Sequence, residues 1–130
     1  VVVVKPELVE EFKQVKAELP KIDLKINFHY DSDRPTPEGM QQLHALGLAL
    51  QKLEGGKFVL IGHTDARGSD QYNDHLSVRR ARMVAAILAT QYHVSLGSLT
   101  ATGMGERQLI GGLPPDHEAN RRVEVVNLGN

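Results

Sequence analysis

The chain has 130 residues, with 15 basic side chains, 16 acidic side chains and no cysteine. This near-neutral balance gives no reason to expect nucleic acid as a partner, and the cysteine count excludes disulfides and Cys-ligated metal sites. No apolar run approaches the roughly eighteen residues of a membrane span, so we expect a globular domain that is not inserted in a membrane.

The N-terminal segment predicts an amphipathic helix. Pro6 stands where proline favours a first helical turn, and Pro20 ends the pattern. The expected apolar face comprises Leu8, Phe12, Val15 and Leu19. This helix is either a linker from a larger protein or an element that docks on the domain.

A strand and a second helix follow. Residues 23–28 alternate polar and apolar, which is typical of a half-buried strand with Leu24, Ile26 and Phe28 inward. After a polar loop, Thr36 precedes Pro37 as an N-cap precedes a proline at the first helical position. Paired glycines at 55–56 end this helix.

The second half of the chain predicts three more strands and one long helix. Residues 57–62 (KFVLIG) form a continuous apolar run, which is typical of a central strand covered on both faces. A helix is expected from Asp70 to about Tyr92, a strand over 100–105, a Gly/Pro-rich loop over 105–119 and a last strand over 121–128. The order βαβαββ predicts a two-layer α/β (α+β) sandwich with a mixed sheet, in addition to the N-terminal helix.

One arginine of the long helix stands where an apolar residue is expected. Arg80 projects between Leu76 and Val84 on the buried stripe, whereas Arg79 and Arg82 project away from it. A buried charge without a partner is very costly. Arg80 therefore needs an internal partner, a ligand, or both.

The HTD sequence at 63–65 lies just after the central strand, at the edge where α/β sheets tend to bind ligands. The spacing allows Asp65 to reach Arg80. Spacing alone favours a structural salt bridge between these two residues, or an Asp65 that accepts from turn amides. A ligand site is the other possibility.

Other candidate sites have weaker signals. His63 lacks a second well-spaced histidine, so we interpret it as a hydrogen-bonded structural residue rather than a metal ligand. The glycines at 62, 68, 103, 105 and 111–112 match no phosphate-binding motif and are interpreted as turn glycines. Strand alternation sends Arg121 and Arg122 to opposite faces, so only one of them can point toward a given pocket.

Several motifs, in order and at the right spacing, resemble the C-terminal peptidoglycan-binding domain of the OmpA/Pal/MotB family. The matching residues are Ile26–Phe28, Asp31–Ser32, Gly62–Asp65, Gly68, Tyr72–Asn73, Leu76–Ser77, Arg80–Ala81, Val84, Gly103–Glu106 and Asn120–Glu124. The resemblance covers about residues 22–128. It departs at Leu109, where the family often has proline, and at the proline-rich segment 33–37.

The resemblance implies site residues for the diaminopimelate of the peptidoglycan stem peptide. Asp65 and Arg80 match the residues that hold it, Thr64 belongs to the same HTD motif, and Asn73 and Arg121 match further pocket positions. Phe28 and the Asp31–Asp33 loop are expected to form the opposite wall. The free end of meso-diaminopimelate carries an ammonium and a carboxylate on one carbon, which an Asp–Arg pair complements. When the site is empty, this pair is expected to bond to itself.

The implied function is non-covalent anchoring of a membrane protein or lipoprotein to the cell wall in the periplasm, without catalysis or a cofactor. The alternative is a protein–protein scaffold that keeps the fold without wall binding; a wall hydrolase is a third hypothesis, without a recognisable catalytic set. We expect residues 1–21 to be an N-terminal helix or linker and residues 22–130 to be the OmpA-like domain. Because the chain begins without Met, we expect a membrane anchor to lie outside it.

Overall fold

The computed structural model of the protein describes residues 1–15 and 25–129. The strands are β1 (Val2–Val3), β2 (Lys25–Asn27), β3 (Lys57–Gly62), β4 (Leu99–Gly103) and β5 (Arg122–Gly129). The helices are α1 (Val9–Val15), α2 (Pro37–Lys52) and α3 (Asp70–Tyr92). The strands form one sheet in the order β1-β4-β3-β5-β2, parallel between β1, β4 and β3 and antiparallel around β5. The predicted mixed α+β sandwich is confirmed.

Helices α2 and α3 pack on one face of the sheet, which we call the front face. Their apolar residues form the main core with inward residues of β2, β3 and β5, among them Ile26, Leu60 and Val123. The predicted N-cap of α2 is confirmed, because the Thr36 hydroxyl accepts from the Gly39 amide at 2.9 Å. Helix α3 has the bounds that the sequence predicts.

Helix α1 packs on the opposite face, which we call the back face. Val9 is fully buried there in a second cluster with Val59, Ile61 and Met104. Strand β3 is therefore covered on both faces, as its continuous apolar sequence predicts. The N-terminal helix docks on the domain rather than leaving it as a free linker.

The predicted apolar face of this first helix is wrong in one position. Leu8 is 37% exposed and Val9 takes its place, because Pro6–Leu8 forms a 3-10 turn and α1 starts only at Val9. The 3-10 turn advances the chain by a different angle per residue, which shifts the buried side. Leu19, Pro20 and Leu24 lie outside the described residues, as does the side chain of Val15.

Two glycines bring α3 close to the sheet. A Cβ on Gly62 would lie 1.8 Å from the Ser77 carbonyl oxygen, and one on Gly103 would lie 2.3 Å from the Ser77 hydroxyl. The interpretation of these two as turn glycines is therefore wrong: they lie in β3 and β4 and permit close helix–sheet packing. This approach places the Arg80 turn of α3 beside the end of β3.

Candidate functional site

Arg80 is a buried cation held by neutral acceptors. Its side chain is 1% exposed, in line with buried Leu76 and Val84, as the stripe predicts. Its Nε donates to the Ser32 carbonyl at 2.8 Å, and its two terminal nitrogens donate to the carbonyls of His63 at 2.9 Å and His29 at 3.0 Å. The guanidinium carbon also lies 5.4 Å from the centre of the Phe28 ring.

The prediction of a salt bridge between Asp65 and Arg80 is wrong. Within the described ranges, no carboxylate oxygen lies within 4.0 Å of the Arg80 guanidinium. Asp65 pairs instead with Arg121, at 3.2 Å. The reason is the antiparallel pairing of β3 with β5, which sets Gly62 opposite Val123. Residues that follow Gly62, such as Asp65, therefore lie near residues that precede Val123, such as Arg121.

The second structural interpretation of Asp65 is confirmed. Its Oδ1 accepts from the Arg67 amide at 2.9 Å, as aspartates often do in turns. Asp65 is 4% exposed, so its remaining acceptor capacity lies in a largely desolvated position. Of the two consecutive arginines, Arg121 contacts Asp65 whereas Arg122 donates to the Gln108 carbonyl, so only one of them points toward Asp65.

The charge of Arg80 is only partly compensated. Burial lowers the pKa of Arg80 to about 10; the negative charge of Asp65 opposes this shift and the positive charge of Arg121 adds to it. The side chain therefore remains protonated at neutral pH. Because its direct acceptors are neutral carbonyls, and a guanidinium carries more N–H donors than these three bonds use, Arg80 retains the capacity to bind an anion.

A cavity of ≈270 Å³ opens beside Arg80. Its walls are the loop at 30–31, the turn at 64–68 and the first half of α3. Four of the six predicted site residues line it, namely Thr64, Asp65, Asn73 and Arg80. Phe28 and Arg121 do not line the cavity, but each contacts a residue that does. The Phe28 ring packs against the Arg80 guanidinium, and Arg121 pairs with Asp65.

Two polar side chains in the cavity wall have contrasting environments. The Thr64 hydroxyl is buried and has no hydrogen-bond partner among the described residues. A buried hydroxyl without a partner is costly. The Asn73 amide is engaged, because its nitrogen lies 2.8 Å from the Arg67 carbonyl and 3.1 Å from Glu106 Oε1. Asn73 thus braces the turn that carries Asp65.

His63 turns its side chain to the back face. Its Nε2 lies 2.8 Å from Glu124 Oε1; burial lowers the pKa of His63, and the hydrogen bond to Glu124 opposes this shift. It is hydrogen-bonded as interpreted from the sequence. Only its carbonyl reaches the cavity side, through Arg80.

Five further residues line the cavity that the sequence reasoning did not assign to the site: Tyr30, Arg67, Gly68, Tyr72 and Leu76. The Arg67 guanidinium lies 4.9 Å from the Tyr30 ring centre, and Tyr72 lies in the first turn of α3. Two of them could have been found from the sequence by proximity. Tyr30 directly precedes Asp31, and Tyr72 directly precedes Asn73, both of which were assigned to the site.

The sequence model of the OmpA family matches residues 27–122. The chain belongs to this family. It is 42% identical to the peptidoglycan-associated lipoprotein of Pseudomonas aeruginosa over 102 residues, which are 75% of this chain and 58% of that protein. It is 30% identical to outer membrane porin F of the same species over 111 residues, which are 84% of this chain and 32% of the porin.

The fold agrees with this membership. The C-terminal domain of Helicobacter pylori MotB superposes with a TM-score of 0.69 at 26% identity, covering 84% of this chain and 86% of that domain. The chain spans between about a third and three fifths of the two curated relatives it matches above. None of the helices in the described parts of the chain is long and apolar enough to cross a membrane.

Proposed function

We propose that this domain binds peptidoglycan non-covalently through the diaminopimelate of the stem peptide. By doing so in the periplasm it anchors a membrane protein or lipoprotein to the cell wall. The observation that carries the proposal is that a buried Arg80, whose direct acceptors are neutral carbonyls, and a buried Asp65 line the same small cavity.

The two charges suit the two ends of a zwitterion. The free N–H groups of Arg80 suit the carboxylate. Asp65 suits the ammonium, because each of its oxygens makes one bond and a carboxylate can accept more. Arg121 prevents Asp65 from turning away, since it holds the second carboxylate oxygen.

The names of two relatives support the ligand class. Peptidoglycan-associated lipoproteins of Pseudomonas aeruginosa and Pseudomonas putida are 42% and 39% identical to this chain. These relatives are named for association with the wall rather than for a reaction. The choice of diaminopimelate within the wall is what the family resemblance of Asp65 and Arg80 implies, and the two charges that line the cavity are compatible with it.

Co-sedimentation with purified diaminopimelate-type sacculi tests the proposal. The parent is expected to sediment with the sacculi, while Asp65→Ala and Arg80→Ala remain largely in the supernatant. Arg82→Ala, which removes an exposed arginine two positions along the same helix, and Glu54→Ala, which removes an exposed acid, are matched controls that should bind like the parent. Thermal unfolding of each variant separates loss of the site from loss of the fold.

Competition defines the ligand. Free meso-diaminopimelate should release the parent, whereas lysine, which lacks the second amino-acid end, should do so much less. Equal binding by the parent and both site variants would refute the assignment of the site. A parent that ignores sacculi but captures periplasmic proteins would favour the scaffold alternative.

A further inference from the structure

Tyr30 and Asp31 form one wall of the cavity, here called the 30–31 wall. On the side of Tyr30, the guanidinium of Arg67 lies 4.9 Å from the ring centre and that of Arg121 lies 5.9 Å from it. These contacts connect the wall to the turn after β3 and to the start of β5. Neither of these two contacts involves Asp31, the other residue of the wall.

Helix α3 holds that side. The Tyr72 hydroxyl, in the first turn of α3, donates to Oδ1 of Asp31. Two turns further along, Arg80 donates to the carbonyls of His29 and Ser32, which flank the wall in sequence. Helix α3 therefore grips segment 29–32 at two points, one at the ligand-binding guanidinium and one at the cavity rim.

The backbone of the wall makes this second grip important. Asp31 has φ of 50°, in the left-handed region that non-glycine residues adopt at a cost, although Asp tolerates it better than most. Such a conformation persists only where surrounding contacts hold it. Tyr72 is 41% exposed, so its ring contributes little to the core. Its hydroxyl donates to Asp31.

We propose that Tyr72 is a positioning residue of the binding site, which fixes the 30–31 wall against the cavity through Asp31. The proposal rests on the proposed function and adds a residue that acts on the ligand through another side chain. Removal of the hydroxyl should let the wall open, so that a bound ligand leaves faster while Arg80 and Asp65 stay intact.

The test compares Tyr72→Phe with Tyr92→Phe. Both substitutions delete one tyrosine hydroxyl from α3, and the Tyr92 hydroxyl meets His44 at 3.0 Å, well away from the cavity residues. Binding of a soluble diaminopimelate-containing muropeptide is measured by calorimetry and by dissociation rate. Tyr72→Phe should weaken affinity by up to about tenfold, mainly through faster dissociation, with an unchanged melting temperature. Tyr92→Phe should leave affinity unchanged.

A double variant separates positioning from direct ligand contact. If Tyr72 acts only through Asp31, Asp31→Ala and the double variant Asp31→Ala/Tyr72→Phe should bind equally. An additional loss in the double variant would show that the hydroxyl touches the ligand and would overturn the positioning role. Parental affinity in Tyr72→Phe would overturn the proposal while leaving the proposed function in place.

A ligand-free measurement keeps the two proposals distinguishable. The His29 amide donates to the Arg34 carbonyl at 3.1 Å across the loop, so its hydrogen exchange reports on the wall. Exchange should be faster in Tyr72→Phe than in the parent or in Tyr92→Phe. Equal exchange would overturn the positioning role, whereas a parent that fails to bind the muropeptide would overturn the proposed function.

Discussion

The two faces of the sheet carry buried polar groups at the same end of β3, and they neutralise charge in different ways. On the front face, the direct partners of Arg80 are backbone carbonyls. On the back face, Glu124 lies 2.8 Å from His63 and 3.3 Å from Lys13, a set that we call the back cluster. His63 belongs to both sides, since its carbonyl accepts from Arg80 and its ring meets Glu124.

The pKa shifts follow this difference. Burial raises the pKa of Glu124, but the hydrogen bond from His63 and the positive charges of His63, Lys13 and Arg122 outweigh it and bring the pKa to about 2. The back cluster thus compensates its own carboxylate with hydrogen bonds and cations from the chain. The front face leaves a protonated guanidinium with neutral acceptors beside an open cavity. The incompletely compensated Arg80 on the front face is therefore the candidate for ligand binding, whereas the compensated back cluster is the candidate for a structural role.

Removal of the front cation should have the largest effect. Arg80→Met keeps a long apolar side chain but leaves the carbonyls of His29, Ser32 and His63 without their donors. We expect loss of detectable sacculus binding and a fall of about 3 kcal/mol in the free energy of unfolding, because buried groups left unpaired are costly. Denaturant titration and sacculus co-sedimentation measure the two effects. Retained binding would break the proposed contrast between the faces.

Removal of the back carboxylate should affect stability alone. A lowering of the Glu124 pKa from 4.5 to about 2 corresponds to a stabilisation of the folded state by roughly 3 kcal/mol at most. Because the folded-state pKa is below the unfolded-state value, this stabilisation is present above pH 4.5 and is lost as the pH falls toward 2. Glu124→Gln should therefore be less stable than the parent at neutral pH, and the difference should shrink on acidification through this window.

His63 adds an earlier acid-sensitive contribution. Its pKa is lowered from 6.5, so the unfolded chain takes up the proton first and stability begins to fall below about pH 6.5. Denaturant titrations at a series of pH values separate this contribution from that of Glu124. Muropeptide affinity at neutral pH should match the parent in Glu124→Gln; a large loss would mean that the back cluster also serves the cavity.

The smallest expected effect concerns the docking of α1. Lys13 is about one third exposed and lies 3.3 Å from Glu124, so Lys13→Met should cost less than about 1 kcal/mol. The difference from the parent should shrink further in high salt, because a partly exposed pair is screened. The free energy of unfolding at two ionic strengths measures this. A loss as large as that of Glu124→Gln would mean that Lys13, rather than His63, dominates the cluster.

Local patterns predicted most of the secondary structure. The Thr36–Pro37 cap, the apolar run of β3 and the span of α3 depend on neighbours in sequence, so they could be read from the chain. Val2–Val3 was not predicted, because a two-residue strand has no periodicity and exists only through pairing with β4. The register of α1 was missed for a similar reason, since a 3-10 turn leaves no distinctive sequence pattern.

Local sequence patterns are enough to predict that Arg80 is buried, that HTD follows the central strand, and that the chain resembles the OmpA family. The hydrogen-bond and salt-bridge partners of these residues depend on the folded structure. Arg80 binds carbonyls of two separate segments, Asp65 pairs with a residue 56 positions away, and Tyr72 reaches Asp31 across 41 positions. The physical reason is that helical and strand periodicity fix only the direction in which a side chain leaves its own element. Its partners depend on strand register and on how closely α3 approaches the sheet.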